Sequence, residues 1–162
     1  MEKTTFKDAS GREWTITLSL GDVNRVATLA KLDINDLLPK NEKDTTAHGV
    51  LMRLITDASQ ICNVVYASIK PRVDEAGLSK EQFFDVCSGS AVEQMRDCFL
   101  QAIHDFFPNP VQKRAILLVL QRGKMAMEAA AERMEIEINK TDARAEIDKA
   151  LDTALSKRLA TN

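Results

Sequence analysis

The sequence has few of the residue types from which catalytic and metal sites are usually built. It contains two histidines, three cysteines and six glycines among 162 residues, and aromatic residues make up only 5%. Neither His48 nor His104 lies three or four residues from a cysteine or from the other histidine, so the spacing of metal ligands is missing. The glycines occur singly, which excludes a glycine-rich phosphate loop. We therefore predict no catalytic residue, no metal and no cofactor, and a protein that is not an enzyme.

The cysteines do not suggest a disulfide framework or a nucleophile. Cys62, Cys87 and Cys98 are odd in number, far apart and surrounded by apolar residues. This pattern predicts buried thiols in a reducing compartment. Cys98 and His104 are six residues apart on one predicted helix, which places them roughly 240° apart around its axis. A Cys–His catalytic pair is therefore not expected there.

Charge and hydropathy exclude two classes of partner. With 22 basic and 24 acidic residues the formal net charge is -2, so no general attraction to nucleic acid or acidic lipid is expected. A basic cluster at residues 113–124 is better explained as a solvated helix face than as a nucleic-acid site; it comprises Lys113, Arg114, Arg122 and Lys124. No leader is recognisable, and no apolar run approaches the ~20 residues that span a bilayer. We expect a soluble cytoplasmic protein with no nucleic-acid or membrane partner.

The sequence predicts a β-hairpin with strands at Thr4–Lys7 and Arg12–Ser19. Trp14, Ile16 and Leu18 alternate with polar residues, which is the two-residue period of a strand with one solvated face. Gly11 lies in the preceding turn and is free to adopt a positive φ. An isolated hairpin is marginal in water, so Phe6 and the alternating residues must pack on helices or on another chain. The hairpin edges are the first predicted place for a partner.

Helices account for the rest of the chain. The central one is predicted from Ala47 to Lys70, with a cap at Thr45 or Thr46 and an end at Pro71, because proline disfavours helical geometry in the preceding residue. Apolar residues at steps of three and four mark its core face. Other helices are predicted from Ser19 or Asp22 to Lys31, from Ser79 with a Ser79–Gln82 capping box to Gly89, and from Ser90 to about Phe106.

The C-terminal third predicts two further helices. Pro110 is well placed as the first residue of one of them, which extends from Val111 to about Asn139 with a seam close to a heptad repeat. Thr141 would cap the second. The seam residues are Ile116, Leu120, Gly123, Met127, Ala130, Met134 and Ile138, and the second helix carries a narrow stripe of Ile147, Leu151, Leu155 and Leu159.

These patterns predict a mainly α protein: a helical bundle-like domain with a short N-terminal β-hairpin and a long C-terminal helical hairpin or arm. We place the domains at residues 1–122 and 123–162. The short break at Asn139–Thr141 favours a hairpin, in which the two helices pack on each other, over an extended arm.

Several short motifs together resemble a known class of protein. They are Phe6, Gly11–Trp14, Asp22–Val23, Leu32–Asp33, Asp36–Leu38, Tyr66, Lys70–Pro71, Gly77, Phe83 and Asp105–Pro108. Over residues 4–118 the chain resembles small proteins encoded among the tail genes of tailed bacteriophages and prophages, of the kind assigned as tail assembly chaperones. The sequence after about Arg122 departs from that pattern.

The resemblance implies a non-enzymatic assembly factor in the host cytoplasm. Such proteins bind the tape-measure protein and tail-tube subunits and are absent from the finished virion; a homo-oligomer is compatible with this role. The alternatives are a structural tail or head–tail connector protein, and a phage adaptor that binds a host protein. We predict interface roles for Phe6, Trp14 and Ile16 in the hairpin and for Met127, Met134 and Ile138 in the C-terminal seam. The alternative for all six side chains is a place in the core.

Overall fold

The computed structural model describes residues 4–41 and 44–159, except for the side chains of residues 142, 143, 148, 150 and 152–159. This part of the chain is mainly α-helical, as predicted, with two short strands and six α-helices. Its contacts define two compact units, Met1–Gly123 and Lys124–Asn162.

The predicted hairpin is present, although its second strand ends at Thr15 and not at the predicted Ser19. Strands β1 (Thr5–Lys7) and β2 (Glu13–Thr15) pair antiparallel, with Phe6 opposite Trp14. Gly11 has a φ of 84°, the left-handed conformation that glycine adopts without strain. The turn is organised by the buried carboxylate of Asp8, which accepts hydrogen bonds from the backbone N–H groups of Ser10 and Arg12 and from the Trp14 indole.

Helix α1 (Leu20–Arg25) follows the hairpin and begins with a capping box between Ser19 and Asp22. It continues as a π-helical turn (Val26–Ala30) and ends at Lys31, which has a φ of 54°. The predicted helix to Lys31 is therefore confirmed in extent, although its second half has π geometry. A 3₁₀ turn (Ile34–Leu37) comes next.

The prediction of one central helix is wrong, because this segment forms two helices. Helix α2 (Thr46–Thr56) and helix α3 (Ala58–Glu75) are separated at Asp57, whose backbone is extended at φ -101° and ψ 104°. The Asp57 carboxylate accepts a hydrogen bond of 3.0 Å from the Gln60 N–H and so caps α3. A local bond from side chain to backbone thus interrupts an otherwise continuous apolar stripe.

Both predicted ends of that helix also differ. The Thr45 side chain makes no capping bond; the Asp44 carboxylate instead accepts the Thr46 N–H at 2.9 Å. At the other end, α3 continues past Pro71 to Glu75. Pro71 removes one helical hydrogen bond, but the following turn buries Val73 completely, and this burial favours continuation.

The next two helices begin as predicted, but the first of them ends at Asp85, before the predicted end at Gly89. Helix α4 (Lys80–Asp85) begins with the Ser79–Gln82 capping box. Helix α5 (Ser90–Phe106) follows Gly89, which has a φ of 56°.

Helix α6 (Pro110–Leu159) begins at Pro110 as predicted, but the predicted hairpin is wrong. Residues 139–141 are helical, and the Thr141 hydroxyl donates to the Glu137 carbonyl four residues earlier at 2.9 Å, so it is bonded within the helix and does not cap a new one. No glycine or proline occurs there to end the helix. The predicted helical hairpin is thus replaced by one continuous helix. The side chains of Leu155 and Leu159 lie outside the described residues.

The core of residues 4–123 is formed by the apolar faces of these elements. The largest completely buried side chains include Phe6, Ile16, Ile34, Leu51, Leu54, Ile61, Phe83, Met95, Phe99 and Ile103.

Candidate protein-binding surface

The three hairpin residues predicted at an interface lie in the core. Phe6, Trp14 and Ile16 are all buried, and the Trp14 ring packs edge-on against Phe83 with ring centroids 5.6 Å apart. These side chains therefore attach the hairpin to the helices and present no surface to a partner.

The free edge of β2 is also occupied. The Arg72 guanidinium of α3 donates to the Thr15 carbonyl and, at 3.1 Å, to the Thr17 hydroxyl. On the other side of the hairpin, β1 lies next to α5. An added strand from another protein would have to displace the Arg72 contact.

The predicted seam of α6 divides into two parts. Its first part belongs to the core: Ile116 is buried, and a Cβ atom placed on Gly123 would lie 2.7 Å from Leu51 Cδ2 and 3.2 Å from Ile55 Cδ1. Gly123 thus permits a close approach of α6 to α2. The second part is different, since Met127 is half-buried while Met134 and Ile138 are 67% and 60% exposed.

The structure exposes a second set of apolar side chains on α6 that the predicted seam did not include. Met125, Ile136 and Ile147 are 68%, 48% and 59% exposed, and Leu151 is also exposed one turn after Ile147. Met125, Ile136 and Ile147 are spaced eleven residues apart, which is about three turns of α-helix, so they share one face. An eleven-residue period in the sequence is the signal that could have identified them.

The two sets lie on opposite sides of the helix. Residues two apart, such as Ile136 and Ile138, differ by about 200° around an α-helix axis. We call Met125, Ile136, Ile147 and Leu151 the Met125 stripe, and Met127, Met134 and Ile138 the Met127 stripe. Two opposed apolar stripes are unusual for a helix in water, which normally has one.

Charged side chains separate the stripes. Glu128 and Glu135 lie between the stripes on one side of the helix and Glu137 on the other, and all three are exposed. Glu132 and Arg133 are also exposed, but they lie four and three residues before Ile136, on the face of the Met125 stripe. The surface between the stripes is therefore acidic, and the Met125 stripe itself includes charged side chains.

The two histidines lie in different surroundings. His48 is exposed in a cleft of about 630 Å³ that Asp44 and Arg122 also line. Hydrogen bonds from the Lys40 backbone and from Thr46 lower the pKa of Asp44 to about 2, so this carboxylate is a helix-capping anion and not a general base. His104 is half-buried and contacts the Asp105 carboxylate at 3.1 Å.

The described residues also lack the features of a metal site or a membrane span. Among them, no three His, Cys, Asp or Glu side chains cluster so as to hold a metal ion. None of the helices in this part of the chain combines the length and apolar content needed to cross a bilayer.

Comparison of the chain with protein-family models, with curated proteins and with solved structures finds no match in any of the three.

Proposed function

We propose that this protein is a non-enzymatic assembly chaperone of tailed bacteriophages or prophages that binds tape-measure or tail-tube proteins through residues 125–151 of α6. The observation that carries the proposal is the pair of exposed apolar stripes on that segment. The sequence resemblance over residues 4–118 supplies the biological class.

The stripes support a binding role because their exposure is unfavourable in water. Full burial of a Met, Ile or Leu side chain is worth roughly 1.5–3 kcal/mol, and seven such side chains occupy the two stripes. A partner that covers one stripe leaves the other exposed. The segment is therefore suited to lie between two neighbouring surfaces, such as a client and a second chaperone chain.

The chemistry of the stripes favours a helical client. Helical partners recognise one another through apolar residues spaced three and four apart, and an elongated client offers such residues over many turns. Three of the seven stripe residues are methionines, whose flexible side chains adapt to irregular surfaces. The glutamates between the stripes favour a client with basic residues beside its apolar face.

Co-purification from cells that express the neighbouring tail genes tests the proposal. The full chain is tagged, isolated under native conditions, and the bound proteins are identified by mass spectrometry; purified virions are analysed in the same way. Recovery of a tape-measure or tail-tube protein, with this chain absent from virions, is the expected result.

Two other results would overturn it. Stoichiometric presence in virions would identify a structural tail or connector protein. Recovery of host proteins in place of tail proteins would identify an adaptor.

A further inference from the structure

The Met125 stripe has opposite charges on its two sides. Counted at about 100° per residue, exposed cations lie about 40–80° to one side of Ile136, and we call them the basic flank: Arg133, Lys140 and Arg144. Exposed anions lie about 40–100° to the other side and form the acidic flank: Glu128, Glu132, Glu135 and Glu146. Glu137 lies on the basic side, where it pairs with Lys140 of its own helix at 3.6 Å.

This charge pattern fits a second copy of the same helix, provided that the two helices are parallel. Two parallel copies are related by a two-fold axis along the pair, so the basic flank of each chain faces the acidic flank of the other. In an antiparallel pair the axis is perpendicular to the helices, and each flank would face the same flank of its partner. Like charges side by side are unfavourable, so the pattern selects the parallel pair.

The apolar side chains of the stripe fit the same arrangement. In register, Met125, Ile136 and Ile147 of one chain meet the identical residues of the other, and Leu151 adds a further contact. Their eleven-residue spacing corresponds to about 3.67 residues per turn, so a slight right-handed supercoil keeps these contacts together. The interface would extend from residue 125 to residue 151, about 40 Å of helix, and would cover apolar side chains that a single chain exposes.

We propose that the protein forms a parallel, in-register homodimer through the Met125 stripes of α6, with the basic flank of each chain beside the acidic flank of the other. Arg133 has the most favourable position in this pair. Glu132 of the other chain lies at nearly the same height along the axis, and Glu128 lies one turn before it.

The dimer deepens the proposed function, because it assigns the Met125 stripe to self-association and leaves the Met127 stripe of each chain on the outside of the pair for the client. This division of the stripes rests on the proposed function, whereas the dimer itself does not. Two linked client-binding surfaces hold an elongated client with avidity, so loss of the dimer should also weaken client binding.

Sedimentation equilibrium of the purified full-length chain, without any client, tests the dimer. The expected mass is twice the 18.0 kDa of one chain. Ile136→Glu places two like charges against each other inside the interface and should give a monomer at concentrations where the wild type is dimeric. Ile138→Glu, the same change on the Met127 stripe, should remain a dimer.

The charge at position 133 tests the orientation of the two helices. Arg133→Glu places an anion beside Glu128 and Glu132 of the other chain, and it should raise the dimer Kd about tenfold or more because each dimer contains two such contacts. An antiparallel pair would be strengthened by the same change. Arg53→Glu on α2 alters the net charge equally at an exposed position and should leave the Kd unchanged.

Oxidative cross-linking tests the register. In Met125→Cys the introduced thiols of the two chains meet and should form a disulfide, which peptide mapping identifies, whereas in Met134→Cys they lie on opposite outer sides and should not.

The proposal is overturned if the chain is monomeric at every concentration, if Ile136→Glu leaves the dimer intact, if Arg133→Glu lowers the Kd, or if position 134 cross-links and position 125 does not. Because no client is present, each of these results is distinct from the failure of a tail protein to co-purify.

Discussion

The indole Nε1 of Trp14 donates a hydrogen bond of 2.8 Å to the carboxylate of Asp8, and both side chains are buried. The second carboxylate oxygen accepts the N–H groups of Ser10 and Arg12 and, at 2.6 Å, the Ser10 hydroxyl. One buried anion therefore fixes both the hairpin turn and the ring that packs on Phe83. A buried carboxylate is favourable only when its hydrogen bonds are made in this way.

Replacement of Asp8 by asparagine should destabilise the fold. The amide keeps the size of the side chain, but its NH₂ group faces donors and leaves some of them unpaired, at a cost of about 1–3 kcal/mol in the free energy of unfolding. Urea denaturation checks this value. Asp85→Asn, an exposed change at the end of α4, should stay within about 0.5 kcal/mol of wild type. Equal effects of the two changes would contradict the role given to Asp8.

The stabilising effect of Asp8 should depend on pH. Burial raises its pKa, but hydrogen bonds from Ser10, Trp14 and Arg12 outweigh burial and lower it below the ordinary 3.8. A carboxyl group whose pKa is lower in the folded than in the unfolded chain stabilises the fold fully at pH values above its pKa in the unfolded chain. This stabilisation is lost as the pH falls through its pKa in the folded chain. The difference in unfolding free energy between wild type and Asp8→Asn should hence be constant from pH 7 to about 5 and shrink below about 4. A difference that grows on acidification would contradict this assignment.

Two glycine substitutions should have opposite outcomes. Gly49 is exposed in α2, and no side-chain or neighbouring backbone atom lies within 4 Å of the place that a Cβ would take, so Gly49→Ala should stabilise by about 1 kcal/mol through helix propensity. In Gly123→Ala the same gain is opposed by the new Cβ at 2.7 Å from Leu51 Cδ2, in a core where overpacking costs about 1–3 kcal/mol. Thermal unfolding should place Gly123→Ala at or below wild type and Gly49→Ala above it. Equal stabilisation by both would show that α6 and α2 are not closely packed at Gly123.

Arg72 should contribute to stability through its planar donor group. Its guanidinium bonds the Thr15 carbonyl and the Thr17 hydroxyl together, and a lysine ammonium cannot reproduce this fork. Arg72→Lys should lower the free energy of unfolding by about 0.5–1.5 kcal/mol. Arg53→Lys, an exposed change on α2, is the matched control and should be near neutral. Amide hydrogen exchange in β2 should be faster in the Arg72 variant alone.

Local sequence signals predicted much of the fold. The Ser79–Gln82 capping box, the start of a helix at Ser19 or Asp22, the turn glycine Gly11 and the start of α6 at Pro110 follow from local sequence chemistry, and each is present. The alternation around Trp14 predicted β2 because a period of two is typical of a strand with one solvated face.

The errors arose where a local preference met a competing interaction. Apolar periodicity continues through Asp57, but the carboxylate of that residue caps a new helix. Pro71 predicts a helix end, yet the burial of Val73 favours another turn. The Asn139–Thr141 segment resembles a cap, although the Thr141 hydroxyl bonds backwards to Glu137.

The surface residues were only partly predictable. Met134 and Ile138 were found because they continue a heptad-like seam, and Ile147 was found in the narrow stripe of the last predicted helix. Ile136 was missed because the eleven-residue period that relates it to Ile147 differs from the heptad. Sequence periodicity also could not show that Phe6, Trp14 and Ile16 pack on the helices of their own chain, since a buried strand face looks the same whichever chain covers it.

The most direct test of the central claim compares three glutamate variants. The measured quantity is the affinity of each variant for a tail protein recovered by co-purification. Ile136→Glu alters the Met125 stripe, Ile138→Glu alters the Met127 stripe, and Ala126→Glu places the same charge at an exposed position outside both stripes. Loss of one buried isoleucine costs roughly 1.5–3 kcal/mol, so each Ile variant should bind at least about tenfold more weakly, with Ala126→Glu close to wild type and all three unchanged in circular dichroism. Equal binding by all three variants would contradict the claim that α6 recognises its partner through these stripes.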